Sequence, residues 1–165
     1  MDELSRLAQL IPRLRRYARA LAGDSASAED LVQDTLERAL EKLHLYRAGT
    51  DLRAWLFTLM HNLCVDKRRA ARVLVSEEEL PERGQRAPQD DALLVRDLDR
   101  ALALLPEEQR VIVLLVTLEG MSYDEVACAL AVPVGTVMSR LYRARNKLRV
   151  ALFESRRSDP AAKRS

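Results

Sequence analysis

Val137, Leu141, Ala144 and Leu148 follow one another at steps of four, three and four residues. Only an α-helix turns that spacing into one continuous apolar stripe. Similar three- and four-residue steps recur at Leu4, Leu7, Leu10, Ile11, Leu14 and Leu21. They return at Leu31, Val32, Leu36, Ala39, Leu40 and Leu43, and again at Trp55, Leu56, Leu59, Leu63 and Val65. A further set is Leu94, Leu98, Ala101, Leu102 and Leu105. With 5 Gly and 6 Pro in 165 residues, turn formers are too few for an all-β chain, and Leu and Ala favour helix. The expected fold is all-α: two small helical domains joined by a flexible linker, the second containing a helix-turn-helix.

Breaks in the pattern set the expected boundaries. The first helix covers residues 2–22, where Pro12 should kink or split it. Gly23, Asp24 and Ser25 form a turn, and Ser27 with Asp30 resembles a capping box that opens the second helix. Residues 46–51 (Tyr-Arg-Ala-Gly-Thr-Asp) interrupt the periodicity, and a third helix runs from about Asp51 into Lys67, Arg68 and Arg69. An N-terminal domain over 1–72 is expected. Residues 73–91 hold three consecutive glutamates, Pro81, Gly84 and Pro88, which suits a flexible acidic linker and nothing more specific. A C-terminal domain over 92–155 follows, with Pro106 at a helix start, an apolar helix through Val111 to Leu118, and Gly120 closing it. Residues 156–165 are expected to be a disordered tail.

Charge and cysteine usage narrow the function classes. The chain has 27 basic and 25 acidic residues, a formal charge of +2, but the bases are grouped at 67–69 and between Arg140 and Arg149. Local basic stripes on a nearly neutral chain suit a polyanion met at chosen places. Two distant cysteines give no disulfide framework, no apolar run is long enough for a membrane span, and the acidic start is unlike a signal peptide. A cytoplasmic protein without membrane insertion is expected. His61 and Cys64 sit one helical turn apart, but the remaining histidine and cysteine are remote, and neither a phosphate loop nor a nucleophile elbow is present. The expectation is no enzyme, no catalytic residues, no metal and no cofactor.

The C-terminal half carries the more specific signal. Ser122, Tyr123, Asp124 and Glu125 have the form of a capping box before a short helix through Val126, Ala127 and Leu130. A brief turn at Ala131, Val132 and Pro133 leads into a longer helix, which together make a helix-turn-helix. Thr136, Arg140, Arg143 and Lys147 repeat the steps of the apolar stripe one position earlier. Ser139 lies beside them, Arg145 and Arg149 flank the buried side, and no acid occurs between Met138 and Leu152. A helix of this kind fits the major groove, where Arg pairs with guanine edges and Arg or Lys holds phosphates. An ordinary amphipathic helix with a solvated cationic face is the alternative, although such faces usually mix charges.

Several blocks together resemble the extracytoplasmic-function (ECF) group of bacterial sigma factors, in the sigma-70 family. In the N-terminal half these are residues 28–35 (Ala-Glu-Asp-Leu-Val-Gln-Asp-Thr), 52–56 (Leu-Arg-Ala-Trp-Leu) and 62–66 (Asn-Leu-Cys-Val-Asp). In the C-terminal half they are 105–110 (Leu-Pro-Glu-Glu-Gln-Arg), 119–127 (Glu-Gly-Met-Ser-Tyr-Asp-Glu-Val-Ala) and 132–145, from Val132 to Arg145. The likeness spans nearly everything except the linker and tail.

The resemblance implies a factor that binds core RNA polymerase and directs promoter-specific initiation, recognising the −10 and −35 elements and assisting strand opening. Asp30, Gln33 and Asp34 would meet the clamp helices of the β′ subunit, although a plain soluble helix face accounts for each residue singly. The loop at Gly49, Thr50 and Asp51 would receive a base flipped from the downstream element. Asn62, Asp66, Lys67, Arg68 and Arg69 would lie against that single strand and the adjoining duplex. Trp55 is favoured as a core residue over a base-stacking one. In the second half, Ser139, Tyr142 and Arg143 would face the groove of the upstream element, with Arg140 and Arg145 nearer the backbone. Met138 stands where the family usually has Lys or Arg. Apolar residues between Pro106 and Leu118 would help seat the domain on the β flap, and an anti-sigma factor is an expected partner. Two further readings stand beside this one: a stand-alone regulator with a single helix-turn-helix, and a sigma mimic that captures an anti-sigma protein without touching DNA.

Overall fold

The computed structural model describes residues 2–74 and 93–158. The chain divides into two compact units. The first is built on α1 (Glu3–Ala22), α2 (Ser25–Lys42) and α3 (Leu52–Leu74). The second is built on α4 (Leu93–Leu104), α5 (Glu107–Val113) and α7 (Val134–Ser158); of α6 (Tyr123–Leu130), which precedes α7 in sequence, Tyr123–Val126 group with the second unit and Ala127–Leu130 with the first. Of the linker expected at 73–91, Val73 and Leu74 complete α3, and the rest lies outside the described residues.

In the first unit local chemistry sets the helix ends. The Asp2 carboxylate accepts from Ser5 N at 2.9 Å and caps α1. Pro12 does not split the helix, which runs unbroken through it from Glu3 to Ala22. Its fixed φ is helical already, and both Pro12 and Ala8, whose carbonyl loses its donor, face solvent, where water can serve that oxygen. Gly23 ends α1 at φ +81°, its N–H donating to Arg19 O at 3.0 Å. The next residue, Asp24, takes the cap of α2 by accepting from Ser27 N at 2.7 Å. The capping box expected at Ser27 is therefore displaced into the first turn, because a carboxylate three residues upstream claims that N–H first.

Leu7, Leu14, Tyr17 and Leu21 of α1 are buried with Leu31, Val32 and Ala39 of α2 and Leu56, Phe57 and Met60 of α3. Tyr17 meets Phe57 edge to face at 5.1 Å between ring centroids, a favoured aromatic geometry. Leu4 and Leu40, both expected on apolar sides, are exposed. Thr35 is buried instead, its hydroxyl satisfied by Leu31 O at 2.6 Å.

In the second unit α4 buries Ala101 and Leu102, with Leu105 just beyond it, while Leu98 stays exposed. Pro106 (φ −52°, ψ 144°) takes the cap position of α5, one residue before the helical position expected for it, and Glu107 and Glu108 occupy the first turn at the positive end of the helix dipole. Arg110 is buried and turns back to donate to Leu102 O at 2.8 Å and Leu105 O at 2.7 Å, closing the carbonyl end of α4. Beyond Val113 the backbone widens into a π turn over Leu114–Leu118, with Glu119 N bonding Leu114 O at 3.1 Å. Gly120 then turns the chain at φ +64°. Val111, Ile112, Val113, Leu114 and Leu115 are all buried and hold the unit together, while Val116 and Leu118 are half-buried. Val137, Leu141 and Ala144 of α7 bury the expected stripe, and Leu148 is half-buried. The helix runs on to Ser158, three residues into the expected tail, and Arg157 lies over the Phe153 ring at 5.9 Å.

Candidate nucleic-acid and polymerase interfaces

The helix-turn-helix assembles as its residues predict. Ser122 N donates to Glu125 Oε2 at 2.7 Å, and Glu125 N donates to Ser122 Oγ at 3.1 Å, a reciprocal box that opens α6. Ala131 closes the turn at φ +53°, a left-handed conformation uncommon for alanine. The carbonyl of Pro133 accepts from Thr136 N at 2.9 Å and Val137 N at 3.2 Å, which starts α7 one turn before its polar stripe.

Outside its buried stripe α7 carries the predicted groups. Ser139, Tyr142, Arg143, Arg145 and Lys147 are exposed, and Thr136 is half-exposed. Tyr142 is 69% exposed and Met138 53%, so a phenol and a thioether stand out among the cations. Ser139 Oγ donates back to Thr136 O at 3.1 Å, which leaves its lone pairs as acceptors. Arg140 differs from the rest. Its guanidinium sits 3.4 Å from Glu108 Oε2 of α5, so a carboxylate already faces one cation of the stripe. That pairing is invisible in the run of α7 itself, because the acid comes from another helix.

In the first unit Asp30 and Gln33 are exposed on α2. Asp34 is partly exposed and forms an ion pair with Lys67 of α3. The pair joins a residue expected to meet polymerase to one expected to meet DNA. Asn62, Asp66, Arg68 and Arg69 are exposed along α3, giving an extended polar and cationic edge.

The loop before α3 is exposed at Gly49, Thr50 and Asp51 and has a defined internal shape. Gly49 adopts φ +95°, a conformation that favours glycine. Thr50 Oγ1 donates to Arg47 O at 2.8 Å. Asp51 accepts from Arg53 N at 2.9 Å and Ala54 N at 3.3 Å and faces the Arg53 guanidinium at 3.2 Å, so its carboxylate chiefly caps α3. Tyr46, read from sequence only as part of the break, is buried. Its ring lies 5.4 Å from that of half-buried Trp55, and its hydroxyl donates to Thr50 O. An aromatic residue inside an otherwise polar stretch was the available signal.

His61 and Cys64 are both half-buried on α3. Burial, helped by Arg68, pushes the imidazole below its ordinary value. Burial pushes the Cys64 thiol up, partly offset by Arg68 and Lys67, so this sulfur is poorly suited to act as a thiolate. Among the described residues no three His, Cys, Asp or Glu side chains come together as metal ligands. None of the described helices is long and apolar enough to cross a membrane.

Known proteins align along most of the chain. An ECF RNA polymerase sigma factor, EcfG of Rhodopseudomonas palustris, is 37% identical over 150 residues, covering 87% of this chain and 81% of its own. The chain belongs to the ECF RNA polymerase sigma factors. SigL of Mycobacterium tuberculosis, another such factor, is 39% identical over 150 residues and 83% covered. Residues 7–61 of the sigma factor match the family described as the Sigma2 domain of PhyR, and residues 96–148 match Sigma-70, region 4. A helix-turn-helix regulator lacking the first domain does not account for the match to residues 7–61. In structure it resembles the sigma factor RpoE of Bartonella quintana, solved with the anti-sigma factor NepR, at a TM-score of 0.79 and 34% identity, covering 90% and 94% of the two chains. CnrH, solved with the cytosolic domain of CnrY, gives 0.64 and 30%, covering 89% and 87%. As a sigma factor the protein directs promoter-specific initiation of transcription.

Proposed function

We propose that the second unit reads the upstream (−35) promoter element through the first turns of α7, while the first unit docks on polymerase and receives the downstream (−10) element as its strands separate. One observation carries the reading. In a helix-turn-helix, Val137, Leu141 and Ala144 are buried while Ser139, Tyr142, Arg143, Arg145 and Lys147 face outward. Helices of this kind place their N-terminal residues on base edges, so Ser139, Tyr142 and Arg143 reach the groove. Arg145 and Lys147 then meet phosphates. Arg140 exchanges Glu108 for a phosphate or shares it, and Thr136 lies at the entry of the helix.

Asp30, Gln33 and Asp34 form an acidic and amide face suited to a basic surface on the β′ clamp helices. Gly49, Thr50 and Asp51 take up the flipped base. The Thr50 hydroxyl, whose proton goes to Arg47 O, offers its lone pairs, and the backbone around Gly49 supplies the other polar contacts, because the Asp51 carboxylate is engaged at the helix start. Asn62, Asp66, Lys67, Arg68 and Arg69 track the strand and adjoining duplex. Trp55 packs on the Tyr46 ring that precedes this loop. With Val111 to Leu115 buried, a β-flap contact falls to the half-buried Val116 and Leu118 and to exposed apolar groups such as Leu98 and Leu104.

The protein works in the cytoplasm, without enzymatic activity of its own. The complexes of RpoE with NepR and of CnrH with CnrY support an anti-sigma partner for this chain as well. The match to the Sigma2 domain of PhyR keeps one rival in view, a mimic that binds only an anti-sigma protein. The outward cationic groups of α7 favour the DNA-reading role. Run-off transcription with core polymerase and a library of promoter sequences separates them. The sigma reading requires enrichment of two spaced elements, and no promoter-dependent transcript would leave the mimic.

A further inference from the structure

We infer that Tyr46 is a positioning residue for strand capture, holding the 47–51 loop in the shape that accepts an unpaired base. The inference rests on the proposed role of that loop. Three contacts carry it. The Tyr46 hydroxyl donates to Thr50 O, its ring packs on Trp55 at 5.4 Å between centroids, and Thr50 Oγ1 donates to Arg47 O. The first bond ties the loop's far end to a buried side chain at its near end, since Tyr46 is 8% exposed while residues 47–51 are exposed. Thr50 O is thereby occupied and turned inward, and the rest of the loop is left to face solvent. The order of residues matters here: Tyr46 precedes the loop, Asp51 caps α3 after it, and Gly49 turns the chain between them at φ +95°. A loop anchored at both ends loses less conformational freedom when a base arrives than a loose one does.

The hydroxyl is separable from the ring, which makes the role testable. Holoenzyme assembled with the wild-type chain or with Tyr46→Phe is titrated with a single-stranded oligonucleotide carrying the downstream element selected from the promoter library. The oligonucleotide is used intact and with an abasic site scanned through the element. The wild type should prefer the intact strand at one captured position. Tyr46→Phe should shrink that intact-over-abasic ratio by about threefold to tenfold, the range spanned by one hydrogen bond, with unchanged affinity for core polymerase. An unchanged ratio in the variant overturns the inference and leaves the loop's role standing. A parallel fall in polymerase affinity also overturns it, because the phenol would then support the whole unit. If no abasic position weakens binding of the wild type, the loop captures no base and the underlying reading falls with it.

Discussion

Arg110 is 2% exposed and gives N–H groups to main-chain carbonyls at the end of α4. Arg110→Leu would strand those oxygens in an apolar setting. Each buried acceptor left without a donor costs about 1–3 kcal/mol, so a loss of about 3 kcal/mol is expected. Urea unfolding followed by circular dichroism measures it, and a variant as stable as wild type would deny the side chain this duty. Arg143 is the opposite case, exposed and expected to cost the fold nothing. Arg143→Ala should weaken promoter-dependent transcription by about 1–3 kcal/mol if the contact is bidentate to a base, and relax preference at one position. An unaltered preference in the promoter library would exclude it as a reader. His61 gives a pH dependence of stability. Its folded imidazole titrates below the ordinary value of 6.5, so as pH falls through that value the unfolded chain takes up the proton first. This contribution is intact above about pH 6.5 and is lost progressively below it. Melting midpoints at about pH 7.5 and 5.5 should differ less in His61→Gln than in wild type; an equal difference would move the dependence to other groups.

At the scale of the helix, what could be read in advance depended on whether neighbours competed. The box at Ser122 and Glu125 has one donor-acceptor arrangement and was legible. The start of α2 was not, because Asp24 and Ser27 both suit a cap and the end of α1 at Gly23 decided between them. Pro12 does not split α1 for a related reason, since the cost of a missing N–H depends on whether the freed carbonyl meets water. The apolar run of α5 has hydrophobic groups on every side, so its period carries no mark of the π turn at Leu114–Leu118. The candidate site was legible where one helix holds all its parts, as on α7. It was hidden where two elements meet, as at Arg140 with Glu108, Asp34 with Lys67, and Tyr46 with Thr50. Asp34 also tests the face of α2. Exposed ion pairs contribute about 1 kcal/mol or less, so Asp34→Arg should fold normally. Reversing the charge should lower affinity for core polymerase by about tenfold or more. Fluorescence titration with labelled polymerase reads this directly, and equal affinities would take Asp34 out of the interface.

Across the whole molecule, 27 bases nearly balance 25 acids. Attraction to DNA therefore comes from where the cations stand and not from their sum. If Arg140, Arg145 and Lys147 each neutralise a phosphate when the face engages duplex, the slope of log affinity against log salt is about −0.9 per contact. Binding should then fall about 40-fold between 50 and 200 mM salt. Fluorescence anisotropy of holoenzyme on a labelled upstream element, compared with the triple alanine variant, measures the share due to this helix. A slope the same in both would place the phosphate contacts elsewhere. The all-α organisation in two units was legible from residue spacing because each helix buries a stripe of its own. The linker expected between them gives no such check, since most of it falls outside the described residues.

The span of α7 limits what its own charges can do. Twenty-five residues from Val134 to Ser158 make a rod of about 38 Å, whereas the major groove is about 12 Å across. A rod entering by its amino end leaves the groove within a few turns. Arg156 and Arg157 then stand far from any base edge, where they can alter how firmly the protein is drawn to DNA but not which sequence it chooses.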